Sequence, residues 1–207
     1  MTYLIGISGG SCSGKSTFSE LLADKIGFND ACVLSMDRFY KNPVGSELHS
    51  INFDRIEAYD TDLLFHCLQE FKKGRRSDIP FYDFITSTRT HYEEFVPKKY
   101  IIVEGILLFN IKALNNMFDL KIFLDLEPDV RLARRVLRDV TDRGRELRSV
   151  VEQYFLSVKK MHNDYIEPNK LTSDIVLDMQ DECTSLDNAH KLVLTLNERR
   201  NPTICDT

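Results

Sequence analysis

The sequence predicts an α/β protein, a parallel sheet flanked by helices, and three observations carry that expectation. Short apolar runs alternate with helix-length amphipathic stretches, a glycine-rich stretch joins the first run to the first helix, and acidic residues follow two of the later runs. The runs are Tyr3–Ile7, Cys32–Leu34, Tyr100–Val103, Leu120–Leu124 and Asp174–Leu177, a βαβ rhythm. Between the first two, Phe18, Leu21, Leu22 and Ile26 fall at helical spacing, and Gly27 stands just beyond as a stop signal. Residues 38–98 break the rhythm with Pro43, Gly45, Gly74, Pro80 and Pro97 around the aromatic-rich stretch Phe81-Tyr82-Asp83-Phe84. We expect strands of a small hairpin there, in an insertion over the edge of the sheet. The polar stretch 199–207 is expected to be a disordered tail.

The 207 residues suit a single domain, 1–207, with a real core. The net charge of −5 argues against a general nucleic-acid coat and against binding to acidic membrane surfaces. Five widely spaced cysteines with no C-x-x-C pair fit reduced thiols in a cytoplasmic setting. The apolar runs fall far short of the roughly 20 residues needed to span a bilayer, and Met1-Thr2-Tyr3 carries no basic segment of the secretory type. The histidines show no metal-ligand spacing, which disfavours a structural zinc.

The first strand runs into Gly9-Gly10-Ser11-Cys12-Ser13-Gly14-Lys15-Ser16-Thr17, which satisfies G-x-x-x-x-G-K-[ST] with a helix after it. A triphosphate must be gripped by many donors at once. Small residues let successive backbone N–H groups turn inward around it, and the helix N-terminus adds its dipole. Lys15 would meet the β- and γ-oxygens and Ser16 would ligate Mg²⁺, with Cys12 a spacer. A plain Gly/Ser turn would not require this order of residues between strand and helix. The expected fold is therefore that of a P-loop NTPase.

In open parallel sheets ligands collect at the carboxyl ends of the strands. Asp37 closes Cys32-Val33-Leu34-Ser35-Met36 and is a candidate to accept the proton of an attacking hydroxyl; Glu104 closes Ile101-Ile102-Val103 and is a candidate metal ligand. Residues 131–148 hold seven of the fourteen arginines and three acids, net +4, without a lysine. Guanidinium forks suit phosphate oxygens, so this segment reads as a lid whose Arg143-Gly144-Arg145 tip closes over a γ-phosphate. A solvated helix face would mix the signs more evenly. Asn169-Lys170-Leu171-Thr172 lacks the final carboxylate of a guanine-reading N-K-x-D element.

Together with the cradle, the segments Leu34-Ser35-Met36-Asp37-Arg38-Phe39-Tyr40, Asn52-Phe53-Asp54, Pro80-Phe81-Tyr82-Asp83-Phe84, Val103-Glu104-Gly105-Ile106-Leu107 and Arg134 through Arg145 resemble the uridine kinases (uridine–cytidine kinases) of the phosphoribulokinase-like group, in that order, over about residues 3–177. The resemblance implies a kinase that moves the γ-phosphoryl of ATP, with Mg²⁺, to the 5′-hydroxyl of uridine or cytidine in pyrimidine salvage, in the cytoplasm, and commonly as a homotetramer. It implies Asp37 as catalytic base, with Lys15, Arg138 and Arg143 at the phosphates and Ser16 and Glu104 at the metal. Tyr40, Asp54, Tyr82, Arg135, Arg145 and Gln153 would bind the nucleoside, with about 138–148 as the lid and about 38–98 as the substrate-binding insertion. Two positions depart from the pattern. Ser87 stands where the family's hairpin carries a base-contacting histidine, and Asp178-Met179-Gln180-Asp181 replaces a Pro-Arg-Gly turn near the donor purine. Ser87 keeps open a kinase for another hydroxyl substrate, such as a different nucleoside, a sugar phosphate or a pantothenate-like alcohol. A nucleotide-dependent switch is the reading from another class.

Overall fold

The structure, a computed structural model, describes residues 2–42, 55–180 and 182–200, without the side chains of 182–184 and 197–200. Five strands form a parallel sheet in the order β2-β5-β1-β6-β7, where β1 is Tyr3–Gly9, β2 Ala31–Ser35, β5 Tyr100–Glu104, β6 Leu120–Asp125 and β7 Ile175–Asp178. A two-stranded antiparallel hairpin, β3 (Ser77–Asp83) and β4 (Thr88–Phe95), stands apart from it. The helices are α1 (Lys15–Ile26), α2 (Thr61–Lys72), α3 (Lys112–Asn115), α4 (Pro128–Thr141), α5 (Leu147–Gln153), α6 (Lys159–Met161) and α7 (Glu182–Arg200). Two π-helical stretches, Tyr154–Val158 and His162–Ile166, flank α6. Among the described residues, no helix is long and apolar enough to cross a membrane.

The sheet buries both faces. Every residue of β5 is buried, and its side chains alternate: Ile101 and Val103 join a cluster with Leu34, Phe39, Leu68 and Phe71, whereas Ile102 joins Ile5, Ile7, Phe18 and Leu22 on the other side. That two-sided burial is why the strands read as short continuous apolar runs.

The segment 38–98 holds more than a hairpin. Its 12-residue helix α2 was not legible among the prolines and glycines around it. Leu64, Cys67, Leu68 and Phe71 follow helical spacing and are buried, and the Asp60 side chain accepts from the Leu63 N–H at 3.2 Å as an N-cap. The insertion thus shares the core of the sheet. A second correction concerns Asp37, which does not close β2. The strand stops at Ser35, whose Oγ accepts from the Asp37 N–H at 3.3 Å and starts a 3₁₀ turn over Met36–Phe39. Asp54 and the Asn52-Phe53-Asp54 motif lie outside the described residues, as does all of the tail beyond residue 200.

Candidate active site

Strand register assembles the site. Ser35 pairs with Glu104 and Glu104 with Ile7, so β2 and β5 end level while β1 continues through Gly9 into the glycine loop, with Asp37 just beyond β2 on the same rim. A cavity of about 950 Å³ opens there. Its walls include Ser11, Lys15 and Ser16 of the loop, Asp37 and Glu104, Tyr40, Tyr82 and Ser87 of the insertion, and Arg135, Arg138, Arg143, Arg145 and Gln153 of the lid helices. Every described side chain expected at the nucleoside or the metal therefore lines one space, and so do those expected at the phosphates except Ser13, which is fully buried behind the loop. A smaller hollow of about 360 Å³, bordered by Lys41, Arg89 and His91, contains none of them.

The loop is shaped by contacts as well as by flexibility. A Cβ at Gly10 would stand 2.5 Å from Nη1 of Arg131, which is itself buried and donates from Nε to the Leu126 carbonyl at 2.9 Å. Gly14 has a φ of 90°, a left-handed conformation that glycine adopts without strain, and it caps α1 with no side chain. The first N–H groups of α1 are left for an anion. Cys12 takes φ 61° within the turn.

Lys15 is 8% exposed, and its ammonium donates to the carbonyls of Gly9 at 3.2 Å and Gly10 at 2.8 Å. Burial pulls its pKa below the usual lysine range, while the charges of Glu104 and Asp37 act against that fall. Glu104, 5% exposed, is pushed up by burial and then by Asp37, with Lys15 and hydrogen bonds from serines opposing. Ser16 Oγ donates to Glu104 Oε1 at 3.3 Å. This is a compact balance of a buried cation, a buried carboxylate and the half-buried Asp37 at the place where a triphosphate and a divalent ion would add opposite charges.

On the acceptor side, Tyr59 donates to Oδ1 of Asp37 at 3.2 Å and shares a hydrogen bond with Tyr40, its ring stacked on that of Tyr40 at 4.2 Å between centroids. Tyr82 and Phe84 close around Tyr40 at 5.3 and 6.5 Å. Burial raises the Tyr82 phenol, with Ser87 acting against the rise, yet no described group stands in hydrogen-bonding geometry to its buried hydroxyl. Ser87 has a φ of 54°, which turns the hairpin tip. Arg89 bolts the hairpin to the Asp37 turn, donating to the carbonyls of Phe39 at 2.9 Å and Tyr40 at 2.7 Å and pairing with Asp60 at 3.1 Å.

Arginines of α4 and of the turn after it gather on one carboxylate. Asp139 is wholly buried, and Arg138 reaches it at 2.8 Å, Arg143 and Arg145 at 3.4 Å, and Arg135 at 3.7 Å. Arg135 also donates to Ser11 Oγ at 3.0 Å, tying α4 to the loop, and Arg135 and Arg145 both donate to Gln153 Oε1, at 3.1 and 2.7 Å. Arg143 lies over the Phe84 ring at 4.9 Å, so the lid touches the hairpin. Gly144, at φ 63°, makes the turn between α4 and α5.

Sequence reasoning missed Asp139, Tyr59 and Arg89. Asp139 had a usable signal: arginines stand four before, one before and four after it, the spacing of ion pairs on a helix. Tyr59 had none, being 22 residues from Asp37.

A glycine loop at the head of a helix, a buried lysine and carboxylate pair, and arginines facing Asp37 across one cavity are the features of a P-loop phosphotransferase. Residues 4–185 match the Phosphoribulokinase / Uridine kinase family, and the chain belongs to that family of kinases. It is 39% identical over 180 residues to the uridine kinase of Staphylococcus haemolyticus, covering 85% of this chain and 87% of that one. It is 37% identical to "Uridine/cytidine kinase UKL1, chloroplastic" of Arabidopsis thaliana over 180 residues, covering 84% of this chain but only 37% of the plant protein. Among solved structures it is similar to the phosphoribulokinase of Rhodobacter spheroides, with a TM-score of 0.65 at 17% identity over 86% of this chain and 70% of that one, a likeness of fold.

Proposed function

We propose that this kinase transfers the γ-phosphoryl of ATP to the 5′-hydroxyl of uridine or cytidine, yielding UMP or CMP and ADP. The observation that carries the reading is that Asp37, oriented by Tyr59, shares one cavity with the cradle lysine on one side and the Tyr40–Tyr82–Phe84 aromatic slot on the other. A ribose hydroxyl seated between them meets the proton acceptor and the γ-phosphorus together. Asp37 takes the hydroxyl proton as the 5′-oxygen bonds to phosphorus and the bond to the β,γ-bridging oxygen breaks. Lys15 exchanges its two carbonyl contacts for phosphate oxygens, and the lid arginines neutralise charge spread over the γ-oxygens. Asp54 takes the ribose hydroxyls, while Tyr82, Ser87, Arg145 and Gln153 contact the base end.

The residues present fit Mg²⁺. The ion prefers hard oxygen ligands and takes one or two from the protein, and Ser16 Oγ with the buried Glu104 carboxylate offers such a pair. When bound, Mg²⁺ supplies charge neutralisation at the β- and γ-oxygens. The same reading makes 1–207 a single kinase domain with a substrate-binding insertion and a lid, acting in the cytoplasm as a homotetramer on small-molecule partners, with no nucleic acid or membrane.

A second reading, phosphorylation of a different hydroxyl substrate, is favoured by one observation: Ser87 offers a short hydroxyl beside the open Tyr82 phenol. A panel of nucleosides and other alcohols with ATP·Mg²⁺, assayed for the phosphorylated product in wild type and Ser87→His, separates the two. Slow ATP turnover alone, rising sharply with uridine or cytidine, is the expected outcome. Stimulation only by another alcohol selects the second reading, and stimulation only by a protein partner would mean a switch.

A further inference from the structure

We infer that Tyr59 is a positioning residue for the phosphoryl transfer, holding one oxygen of Asp37 so that the other is left for the incoming hydroxyl. The inference rests on the reading of Asp37 as proton acceptor given above.

The argument begins with the number of protons available. Tyr59 has a single hydroxyl proton, and an ionised carboxylate can only accept. In the contact to Oδ1 of Asp37 the Tyr59 phenol is the donor, and the Tyr59 and Tyr40 phenols also share a hydrogen bond. Tyr40, Tyr59 and Asp37 thus stand in one hydrogen-bonded chain. Asp37 Oδ2 accepts no hydrogen bond among the described residues, and Asp37 borders the cavity. Tyr59 holds the carboxylate at Oδ1, and the Ser35 hydroxyl holds the backbone of the same residue by accepting from the Asp37 N–H.

Tyr59 is suited to such a task because it cannot move. Its side chain has no exposed surface, its backbone N–H donates to the Ile56 carbonyl, and it bridges to Tyr40, which carries it against the hairpin aromatics. A buried phenol fixed on three sides is a rigid ruler for a carboxylate on a short 3₁₀ turn. The charged groups facing Asp37 are Lys15 and Glu104 from the loop and β5, and Arg138 and Arg143 from the lid. None of them is in hydrogen-bonding contact with it, so its orientation depends on the phenol. Because Tyr40 lies in the aromatic slot, the chain also links the seat of the acceptor to the group that takes its proton.

The test is a double-mutant cycle on the full chain with uridine and ATP·Mg²⁺. Tyr59→Phe keeps the ring stack and removes only the hydroxyl. It is expected to lower kcat by about ten- to a hundredfold, the size of a hydrogen bond to a charged group, with the KM values for ATP and uridine within about twofold. Asp37→Asn alone is expected to lower kcat about a hundredfold or more. In the Asp37→Asn background, Tyr59→Phe should have almost no further effect, because it acts through the carboxylate that is gone. An equal loss in both backgrounds, or no loss in either, overturns the inference while the role of Asp37 stands. Wild-type turnover by Asp37→Asn overturns both, and marks the failure as that of the underlying reading. Unchanged circular dichroism and melting of Tyr59→Phe are the control that a fall in kcat is not a loss of fold.

Discussion

The phosphate cradle occupies nine consecutive residues, Gly9 to Thr17, between one strand and one helix. The acceptor side collects Asp37 and Tyr40 from the turn after β2, Tyr59 from before α2, Tyr82 to Ser87 from the hairpin, and Arg135 to Gln153 from α4 and α5. The first region is shaped mainly by local backbone conformation, with a few outside groups against it: Arg131 behind Gly10, Arg135 on Ser11 and Glu104 against Ser16. The second is held by side chains that reach across the fold, Arg89 to the carbonyls of Phe39 and Tyr40 and Arg143 to Phe84, and by four arginines that gather on Asp139 within their own segment. A site made of one segment keeps its geometry as long as the strand and helix exist. A site made of several segments depends on the ties between them, and damage to a tie should reach the chemistry without touching a ligand.

The largest expected effect tests the self-contained region. Lys15→Met removes the buried cation that acts on both Glu104 and Asp37, and kcat should fall by roughly 10²–10³, as when a preorganised charge stabiliser is lost. Steady-state kinetics check this, and turnover within tenfold of wild type would mean the loop backbone and the lid suffice without the lysine. Next is the tie on which the lid depends. Asp139→Asn should lower kcat about tenfold while the ATP KM stays level or falls, because the freed arginines remain positive but lose their places. It should also cost about 2 kcal/mol of stability, below the usual loss for a broken buried pair because three of the arginines are a third exposed. A stability loss with unchanged kcat would make Asp139 a structural tie only, and the contrast between the two regions would fail.

The smallest effect lies behind the cradle, on the π-helical stretch that packs toward Arg131. His162 is buried, its Nδ1 is unpartnered, and its Nε2 faces Glu167 at 2.9 Å. Burial first, then the Arg131 charge, pulls its pKa from 6.5 to about 4. The folded protein therefore holds it neutral while the unfolded chain takes up a proton below its ordinary value. Its contribution to stability is present above pH 6.5 and is lost as the pH falls toward about 4. Melting temperature should drop through that window, and His162→Gln should flatten the drop. An unchanged slope in the variant would assign the acid sensitivity elsewhere.

How much was legible follows the same division. The sheet could be read because strands buried on both faces become continuous apolar runs, as β5 does. The cradle could be read because its chemistry requires particular residues at fixed offsets. Helix α2 was hidden because the proline and glycine content of its flanks outweighed the spacing of Leu64, Cys67, Leu68 and Phe71. Asp37 was placed on a strand that Ser35 in fact ends, since a two-residue side-chain-to-backbone hydrogen bond leaves no mark on periodicity.

By itself, the order of residues determined the parallel α/β architecture, the phosphate loop and the presence of an arginine-rich segment, because each is written in neighbours along the chain. Tertiary structure alone decided that Tyr59 holds Asp37, that Arg135 ties α4 to Ser11 of the glycine loop and that Arg89 bolts the hairpin to the turn carrying Asp37. Those contacts are directional and only a few ångströms long. They exist because packing brings together groups that the chain itself keeps apart, and no local pattern encodes a distance between remote side chains.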